Sequence, residues 1–311
     1  MPRPAMNPDR PAVRFAPSPN GLLHLGHAFS ALFADGVARA LSARFIVRIE
    51  DIDSARARPY FIDQILDDLA WLGLEWDEPV RRQSAHMDDY ARALDRLGSM
   101  DLLYASSASR GDVAHFVAAR EAEGAAWPRD PDGAPLFPGI GRTGSSDGGA
   151  GALRIDMAKA LGSVAACGLC FTEIGPERAS LRPVPADPGK WGDAILARRD
   201  IATSYHLSVV VDDAIQAITH VTRGMDLYEA THLHRLLQAL LGLPAPVYCH
   251  HRLITDAAGR KLAKTRASVS LKALREGGAT AADIRVATGI DRWSPWFERL
   301  AGEKVSRTFP G

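Results

Sequence analysis

The chain has 311 residues, of which 46% are hydrophobic and 24% charged, as expected for a globular protein with a sizeable buried core. Its 37 basic residues balance 37 acidic ones, so overall charge does not indicate a surface built for nucleic acid. No apolar run is long enough to span a membrane. Residues 1–12 lack the apolar region of a signal peptide, so we expect a disordered lead. Three cysteines without a secretion signal indicate the cytoplasm.

The first part of the chain predicts a strand–helix–strand unit. A short extended run at residues 12–16 leads into a proline-rich turn, apolar residues then recur at helical spacing over 25–41, and alternating apolar residues follow at 45–49. The crossover helix places the two strands side by side in parallel. The predicted fold class is therefore α/β, with a Rossmann-like parallel sheet.

The rest of the chain predicts more helices and one long interruption of the α/β pattern. Helical spacing covers residues 60–72, 87–97, 229–241 and 280–288, and the near-continuous apolar run 206–211 predicts a buried strand. Segments rich in proline and glycine interrupt 105–188. We therefore expect a discontinuous Rossmann-like domain (13–105 and 187–250) and an inserted α+β subdomain (106–186, with a flexible loop at 143–152). A loop and a short helical C-terminal segment follow (251–311).

Two histidines mark the start of the first long helix. His24 and His27 are three residues apart and share a face, and Gly26 between them removes a side chain where another group must approach. The N–H groups and partial positive charge of a helix start suit a phosphate. The pattern predicts a phosphate site, with two histidines that merely cap a helix as the alternative.

A second basic element lies later in the chain. Lys261 and Lys264 follow a turn that contains glycine, and residues 252–275 carry seven basic side chains against one acidic. A solvated basic loop is the plainer interpretation. The functional interpretation is a loop that neutralises a polyphosphate while pyrophosphate leaves.

Several spaced motifs closely resemble glutamyl-tRNA synthetases, a family of class I aminoacyl-tRNA synthetases. In chain order they are Arg14-Phe15-Ala16-Pro17-Ser18-Pro19-Asn20-Gly21, His24-Leu25-Gly26-His27, Arg48-Ile49-Glu50-Asp51-Ile52-Asp53, Gly192-Asp193, Tyr205-His206-Leu207, Val209-Val210-Val211-Asp212-Asp213, His220-Val221-Thr222-Arg223-Gly224 and Lys261-Leu262-Ala263-Lys264-Thr265. The second and the last look like the two class I signatures. The resemblance implies activation of L-glutamate by ATP, with Mg²⁺ accompanying the nucleotide.

The resemblance also implies which residues form the site. Position by position it implies catalytic roles for His24, His27, Lys261 and Lys264, and ATP contacts by His24, Gly26, His27 and Lys264. It implies a glutamate site made of Arg14, Phe15, Ala16, Pro17, Ser18, Glu50, Tyr205 and Arg223. The chemistry is suitable, since an arginine can fork onto each substrate carboxylate and Glu50 can take the ammonium group. Without the resemblance, Arg48 and Glu50 would be interpreted as a structural pair.

Chain length suggests which branch of the family is closest. Only 46 residues follow Thr265, fewer than the helical anticodon-binding domain of a full glutamyl-tRNA synthetase needs. This resembles glutamyl-queuosine tRNA(Asp) synthetases, which implies transfer of glutamate to queuosine in the anticodon loop of tRNA(Asp). The alternatives are a truncated enzyme that charges a tRNA 3′ end, a nucleotidyltransferase for another acid, and an inactive paralogue that binds tRNA. We expect a monomer without membrane association.

The metal chemistry departs from the family pattern. Family members often hold zinc, but the matching positions carry no thiolate: they are Ser106, Ala108, Phe137 and Gly141. We therefore expect no structural zinc and no other metal site.

Two smaller departures concern the cysteines and the second signature. Cys167 and Cys170 form a single C-x-x-C pair, which by itself cannot close a zinc site. Cys249 with His250 and His251 could complete one on paper, but they lie near the second signature, so two ordinary buried thiols are expected. Ala263 replaces the usual serine of the second signature. One lost hydrogen bond would cost about 0.5–1.5 kcal/mol and leaves both lysines in place.

Overall fold

A computed structural model describes residues 10–143, 151–164, 168–175, 179–254 and 269–302. Its strands are β1 Ala12–Phe15, β2 Arg44–Ile49, β3 Arg81–Arg82, β4 Leu103–Ser106, β5 Arg142–Thr143, β6 Ala152–Ile155, β7 Cys170–Ile174, β8 Leu181–Pro185, β9 Ile195–Ala197, β10 His220–Gly224 and β11 Val247–His251. Its helices are α1 Leu25–Ala40, α2 Pro59–Trp71, α3 Met87–Ser99, α4 Arg110–Ala122, α5 Met157–Val164, α6 Tyr205–Ile215, α7 Ala230–Leu241, α8 Leu271–Glu276, α9 Ala281–Thr288 and α10 Ser294–Gly302.

A seven-stranded, mostly parallel sheet organises the chain. Its strand order is β3-β2-β1-β10-β11-β7-β8, and every neighbouring pair is parallel except β7 with β8. Strands β1 and β2 are buried along their whole length, because helices cover both faces of such a sheet. Besides apolar residues they contain the buried Arg14, Arg44 and Arg48. The predicted α/β class with a Rossmann-like parallel sheet is confirmed.

Helix α1 links this sheet to the C-terminal helices. Phe29 and Phe33 on α1 are fully buried, and the Phe33 ring lies 5.0 Å from the ring of Trp293 and 5.5 Å from that of Phe297. Gly36 faces the same helices, and a Cβ there would come within 2.5 Å of the Phe297 ring. A mid-helix glycine costs about 1 kcal/mol, which this close approach explains. The predicted short helical C-terminal segment is present and braces the helix that begins at His24.

A second, four-stranded antiparallel sheet has the order β5-β4-β6-β9. Strand β4 begins before the predicted subdomain 106–186 and β9 lies after it, whereas β7 and β8, from inside that range, join the large sheet. Strand pairing therefore does not follow the predicted limits, because composition marks irregular segments while hydrogen bonds between distant segments decide sheet membership. The domain division itself stays a prediction, and most of the predicted loop at 143–152 lies outside the described residues.

The prediction of a strand at 206–211 is wrong, because these residues belong to α6. Ser204 caps the helix, its Oγ accepting the Leu207 N–H at 3.3 Å. Seven consecutive residues, 207–213, are buried. A helix buried on nearly all sides has no polar face, so its sequence carries no helical periodicity and resembles that of a buried strand.

The predicted disordered lead is too long at its C-terminal end. The Arg10 guanidinium donates to the Ser42 and Ala43 carbonyls at 3.1 and 3.2 Å, and Pro11 accepts the Arg44 N–H at 2.8 Å. Ala12 is fully buried as the first residue of β1. Residues 10–12 contact residues 42–44 through the Arg10 side chain and the backbone of Pro11 and Ala12, a long-range effect that local composition cannot indicate. In the described part of the chain, no helix is long and apolar enough to cross a membrane.

Candidate active site

A cavity of about 580 Å³ opens at the carboxyl ends of β1 and β10. These strands are neighbours in the sheet although β2 follows β1 in sequence, and such a switch in strand order leaves a crevice where ligands bind. The lining includes all eight predicted glutamate-site residues and all three described ATP-site residues: Arg14, Phe15, Ala16, Pro17, Ser18, Glu50, Tyr205, Arg223, His24, Gly26 and His27. The structure brings these residues together, while their roles stay predictions.

The two histidines are held in one protonation form by the helix start. His24 is the N-cap of α1, its Nδ1 accepting the Gly26 N–H at 3.1 Å, and the His27 Nδ1 accepts the His24 N–H at 3.2 Å. A neutral imidazole that accepts at Nδ1 carries its proton on Nε2 and is a donor there. The ring centroids lie 3.9 Å apart, and a Cβ on Gly26 would come within 2.9 Å of the His24 ring. His24 and His27 can therefore accept backbone N–H groups at the helix start through Nδ1 and still donate a hydrogen bond through Nε2.

The predicted second signature, with Lys261, Ala263 and Lys264, lies outside the described residues. The described residues on both sides of it lie beside the cavity. Ile254 belongs to the cavity lining, and Ser270 forms an antiparallel bridge with His24. The Leu271 N–H donates to the Leu23 carbonyl at 2.8 Å. The described residues before and after the second signature therefore both lie next to the first signature.

An ionic network lies behind one wall of the cavity, and its members Arg14 and Glu50 line that wall. Asp213 Oδ1 accepts from Arg14 Nε at 3.0 Å and from Arg48 Nη1 at 2.8 Å, and Arg48 Nη2 donates to Glu50 Oε1 at 3.1 Å. Arg14 Nη1 also donates to the Thr222 carbonyl at 3.0 Å. Arg48 and Glu50 therefore do form the structural pair that the sequence alone suggested, and Glu50 also lines the cavity.

Burial and charge oppose each other in this network. Burial alone would lower the pKa of Arg48, but the carboxylates of Asp213 and Glu50 outweigh it and raise that pKa. Burial alone would raise the pKa of Asp213, but Arg14 and Arg48 outweigh it and lower that pKa. For Glu50 burial dominates, and its pKa is raised despite Arg48 and Arg14. The two arginines thus keep Asp213 ionised.

Arg223 has different surroundings. Its Nε donates to His250 Nε2 at 3.2 Å, its Nη1 contacts His234 Nδ1 at 3.1 Å, and its Nη2 donates to Thr231 Oγ1 at 2.6 Å. Burial raises the pKa of Tyr205 beside it, although the Arg223 charge opposes this. Within the described residues no carboxylate oxygen lies within 4.0 Å of the guanidinium, so its positive charge has no direct partner there. The sequence did not predict these partners of Arg223. The clustered histidines within residues 232–234 and 250–251 were the signal that could have indicated them.

The positions that match the zinc ligands of other family members make other contacts in this protein. Ser106 Oγ donates to the Ile140 carbonyl at 3.1 Å and accepts the Ala108 N–H at 3.3 Å. The Arg154 guanidinium lies 3.6 Å from the centre of the Phe137 ring. Among the described residues no group of three histidine, cysteine, aspartate or glutamate side chains could hold a metal ion.

We predict that protein purified without chelator contains less than about 0.1 equivalent of zinc, because a structural site needs about four N or S ligands. Plasma emission spectrometry on freshly purified protein measures this, with a zinc-finger protein prepared in parallel as the positive control. Stoichiometric zinc would contradict the prediction.

The expectation of two ordinary buried thiols at Cys167 and Cys170 is wrong for Cys170. It is the exposed first residue of β7, where the strand enters the sheet from the surface. Cys167 lies outside the described residues. Cys249 on β11 is buried, and burial raises the pKa of its thiol.

Comparison with known proteins identifies the class of protein. A family model described as the catalytic domain of class I tRNA synthetases (E and Q) matches residues 12–282. With the parallel sheet and the histidine pair at the helix start, this defines a class I synthetase catalytic domain. The chain belongs to the class I tRNA synthetase family for E and Q.

Relatives with known names place it within that family. The chain is 48% identical over 280 residues to the glutamyl-Q tRNA(Asp) synthetase of Rhodobacter capsulatus, covering 89% of this chain and 99% of the relative. It is 38% identical over 280 residues to that of Symbiobacterium thermophilum, covering 86% and 82%. The solved glutamate–tRNA synthetase of Elizabethkingia anophelis has a TM-score of 0.66 at 25% identity. The match covers 87% of this chain and 54% of that one, so this chain spans about half of that structure.

Proposed function

We propose that this protein activates L-glutamate with ATP to glutamyl-adenylate without tRNA, and then transfers glutamate to queuosine in the anticodon of tRNA(Asp). One observation carries the first step: a single cavity holds both the histidine pair of the first signature and the set Arg14, Glu50, Tyr205 and Arg223. The names of the relatives that the chain matches over most of their length support the second step.

The activation step is an in-line displacement at phosphorus. An oxygen of the glutamate α-carboxylate bonds to the α-phosphorus of ATP, and the bond from that phosphorus to the bridging oxygen of pyrophosphate breaks. The Nε2–H groups of His24 and His27 donate to phosphoryl oxygens as charge develops on them, and the start of α1 adds its positive potential. The protein supplies placement and charge, and no side chain has to accept a proton.

Glutamate recognition uses three charged groups of the cavity. The Arg223 guanidinium, without a described carboxylate partner, takes a substrate carboxylate, and Glu50 takes the ammonium group. Arg14 already donates through Nε and Nη1. It can therefore offer the substrate only its Nη2 protons and the second Nη1 proton, which are fewer donors than the free guanidinium that the sequence suggested.

Mg²⁺ accompanies ATP in this proposal and is held mainly by phosphate oxygens and water. The protein is proposed to work as a monomer in the cytoplasm, where ATP and tRNA are present.

ATP–pyrophosphate exchange tests the first step. Purified protein with ATP, Mg²⁺ and labelled pyrophosphate should show exchange that depends on L-glutamate and needs no tRNA. Glutamine and aspartate are the controls for the acid. Absence of exchange would overturn the proposal and favour the inactive tRNA-binding paralogue, while exchange with another acid would favour a different nucleotidyltransferase.

The acceptor is tested separately with labelled glutamate. Queuosine-containing tRNA(Asp) should become labelled, whereas tRNA(Asp) without queuosine and tRNA(Glu) should not. Periodate treatment of the 3′ ribose also oxidises the queuosine diol, so nuclease digestion that separates the anticodon from the 3′ end should locate the label. Label on the 3′ end of tRNA(Glu) would support the truncated charging enzyme instead.

We predict that Lys264→Ala slows glutamate-dependent exchange by about 10²–10³, as for removal of other groups that stabilise developing charge. Lys272→Ala is the matched control from the same basic stretch, because Lys272 on α8 is half-buried outside the cavity lining and its Nζ donates to Tyr60 Oη at 2.9 Å. A Lys264→Ala protein that exchanges at the wild-type rate would show that the second signature was assigned wrongly.

A further inference from the structure

We propose that His234 and His250 are positioning residues that hold Arg223 through neutral acceptors, so that its full positive charge remains available to the substrate. The inference rests on the proposed function for its kinetic test. The arginines in and behind the cavity wall differ in their hydrogen-bond partners. Arg14 and Arg48 share the carboxylate of Asp213, whereas three partners of Arg223 are two imidazoles and a hydroxyl.

The hydrogen bonds determine the tautomer of each ring. His250 accepts from Arg223 at Nε2, so its proton lies on Nδ1, which is 2.9 Å from Glu173 Oε2. The other oxygen of Glu173 accepts the backbone N–H of His250 at 3.0 Å. The buried Glu173 carboxylate is thereby separated from the guanidinium by one imidazole ring. It orients the ring without pairing directly with Arg223.

His234 belongs to a second series of hydrogen bonds that starts at Arg223. Its Nδ1 accepts from Arg223 Nη1, so its Nε2 carries the proton and donates to His206 Nδ1 at 3.1 Å. His206 lies on α6 and His234 on α7, which ties the guanidinium to two helices that pack together. Each hydrogen bond in this series requires an acceptor imidazole ring that is uncharged.

The surroundings keep these rings uncharged at neutral pH. Burial, and then the nearby Arg223 charge, lower the pKa of His206 to about 4 and that of His234 well below its usual value. Burial also lowers the pKa of His250, although the hydrogen bond to Glu173 opposes it. A protonated ring would face Arg223 with a second positive charge and could not accept its hydrogen bond.

A matched pair of variants at His234 separates charge from packing. Asparagine places a neutral acceptor near the Nδ1 position, and aspartate places a charged one of the same shape there. His234→Leu, which removes the acceptor, should raise the KM for glutamate, and His234→Asn should restore most of the loss. His234→Asp should raise the KM for glutamate about tenfold or more above that of His234→Asn, the size of one hydrogen bond to a charged group.

The KM for ATP and the thermal stability are the control readouts. They should differ little between the asparagine and aspartate variants, because the two side chains have the same size. His220→Asn is the matched control for a buried histidine, since His220 lies on the same strand as Arg223 and contacts Thr219 instead. Equal KM values for glutamate in His234→Asn and His234→Asp would overturn the proposal.

Nitrogen-15 NMR of the wild-type imidazoles tests the same idea without substrate. At pH 7 the signals of His234 and His250 should show single neutral tautomers, protonated on Nε2 and on Nδ1 respectively. A doubly protonated ring, or the opposite tautomer, would overturn the proposal even if the variants do not fold. Wild-type protein with no glutamate-dependent exchange would instead overturn the proposed function, so the two failures are distinguishable.

Discussion

Replacing Arg223 by leucine should lower kcat/KM for glutamate in pyrophosphate exchange by about 10³ or more, since loss of one partner of a buried charge pair costs about 2–5 kcal/mol or more. The structure also predicts how this substitution affects the stability of the protein. Because no described carboxylate pairs directly with Arg223, the substitution leaves no orphaned acid beside it. The neutral acceptors on His234, His250 and Thr231 lose a donor, so the melting temperature should fall, but by less than when a buried ion network is broken, and activity should be affected far more than stability.

The measurements for Arg223→Leu are exchange kinetics and differential scanning calorimetry. Arg39→Leu is the matched control, because Arg39 is an exposed arginine at the opposite end of α1 from His24. Arg223→Lys keeps the charge but loses the fixed fork, so it should recover only part of the activity. Wild-type kcat/KM in Arg223→Leu would remove Arg223 from the substrate site.

Replacing Asp213 by alanine should lower the free energy of unfolding by about 3–5 kcal/mol, the usual result of removing one partner of a buried ion network. Two buried guanidinium groups, those of Arg14 and Arg48, lose their shared acceptor. For a domain of this size the melting temperature should fall by roughly 10 °C. Calorimetry and urea titration measure the two quantities.

Asp53→Ala is the matched control for Asp213→Ala. Asp53 pairs with the exposed Arg56, and exposed pairs contribute less than about 1 kcal/mol. Its melting temperature should stay near that of the wild type. If Asp213→Ala is as stable as Asp53→Ala, water or Glu50 must replace the lost acceptor, and the account of the network is wrong.

The stability supplied by Asp213 should depend on pH. Its folded-state pKa lies below the ordinary value, so the contribution is present above that ordinary value, near pH 4. It is lost as the pH falls through the lowered folded-state pKa. The difference in melting temperature between wild type and Asp213→Ala should therefore be constant from pH 6 to 8 and shrink in acid.

Local sequence was sufficient for the parts of the fold that short segments specify. Strand β1, helix α1 and strand β2 have the predicted order and nearly the predicted ends, because apolar spacing and the turn at residues 17–21 act over a few residues. The helix predicted at 280–288 is α9, and Thr280 caps it through a reciprocal pair with Asp283, only three residues away. Helix α6 was mistaken for a strand because complete burial erases the periodicity that distinguishes the two.

Sequence by itself determined the α/β class, the helix start at His24 and, through spaced motifs, the residues that line one cavity. Only the tertiary structure decided which of those charged residues are paired with an opposite charge. Arg14 meets Asp213 across 199 positions of the chain, and His250 meets Glu173 across 77. Such contacts depend on which strands lie side by side, a property that no local pattern records. For that reason the sequence indicated Arg14 and Arg223 as equivalent arginines, and the fold made one of them paired and the other available.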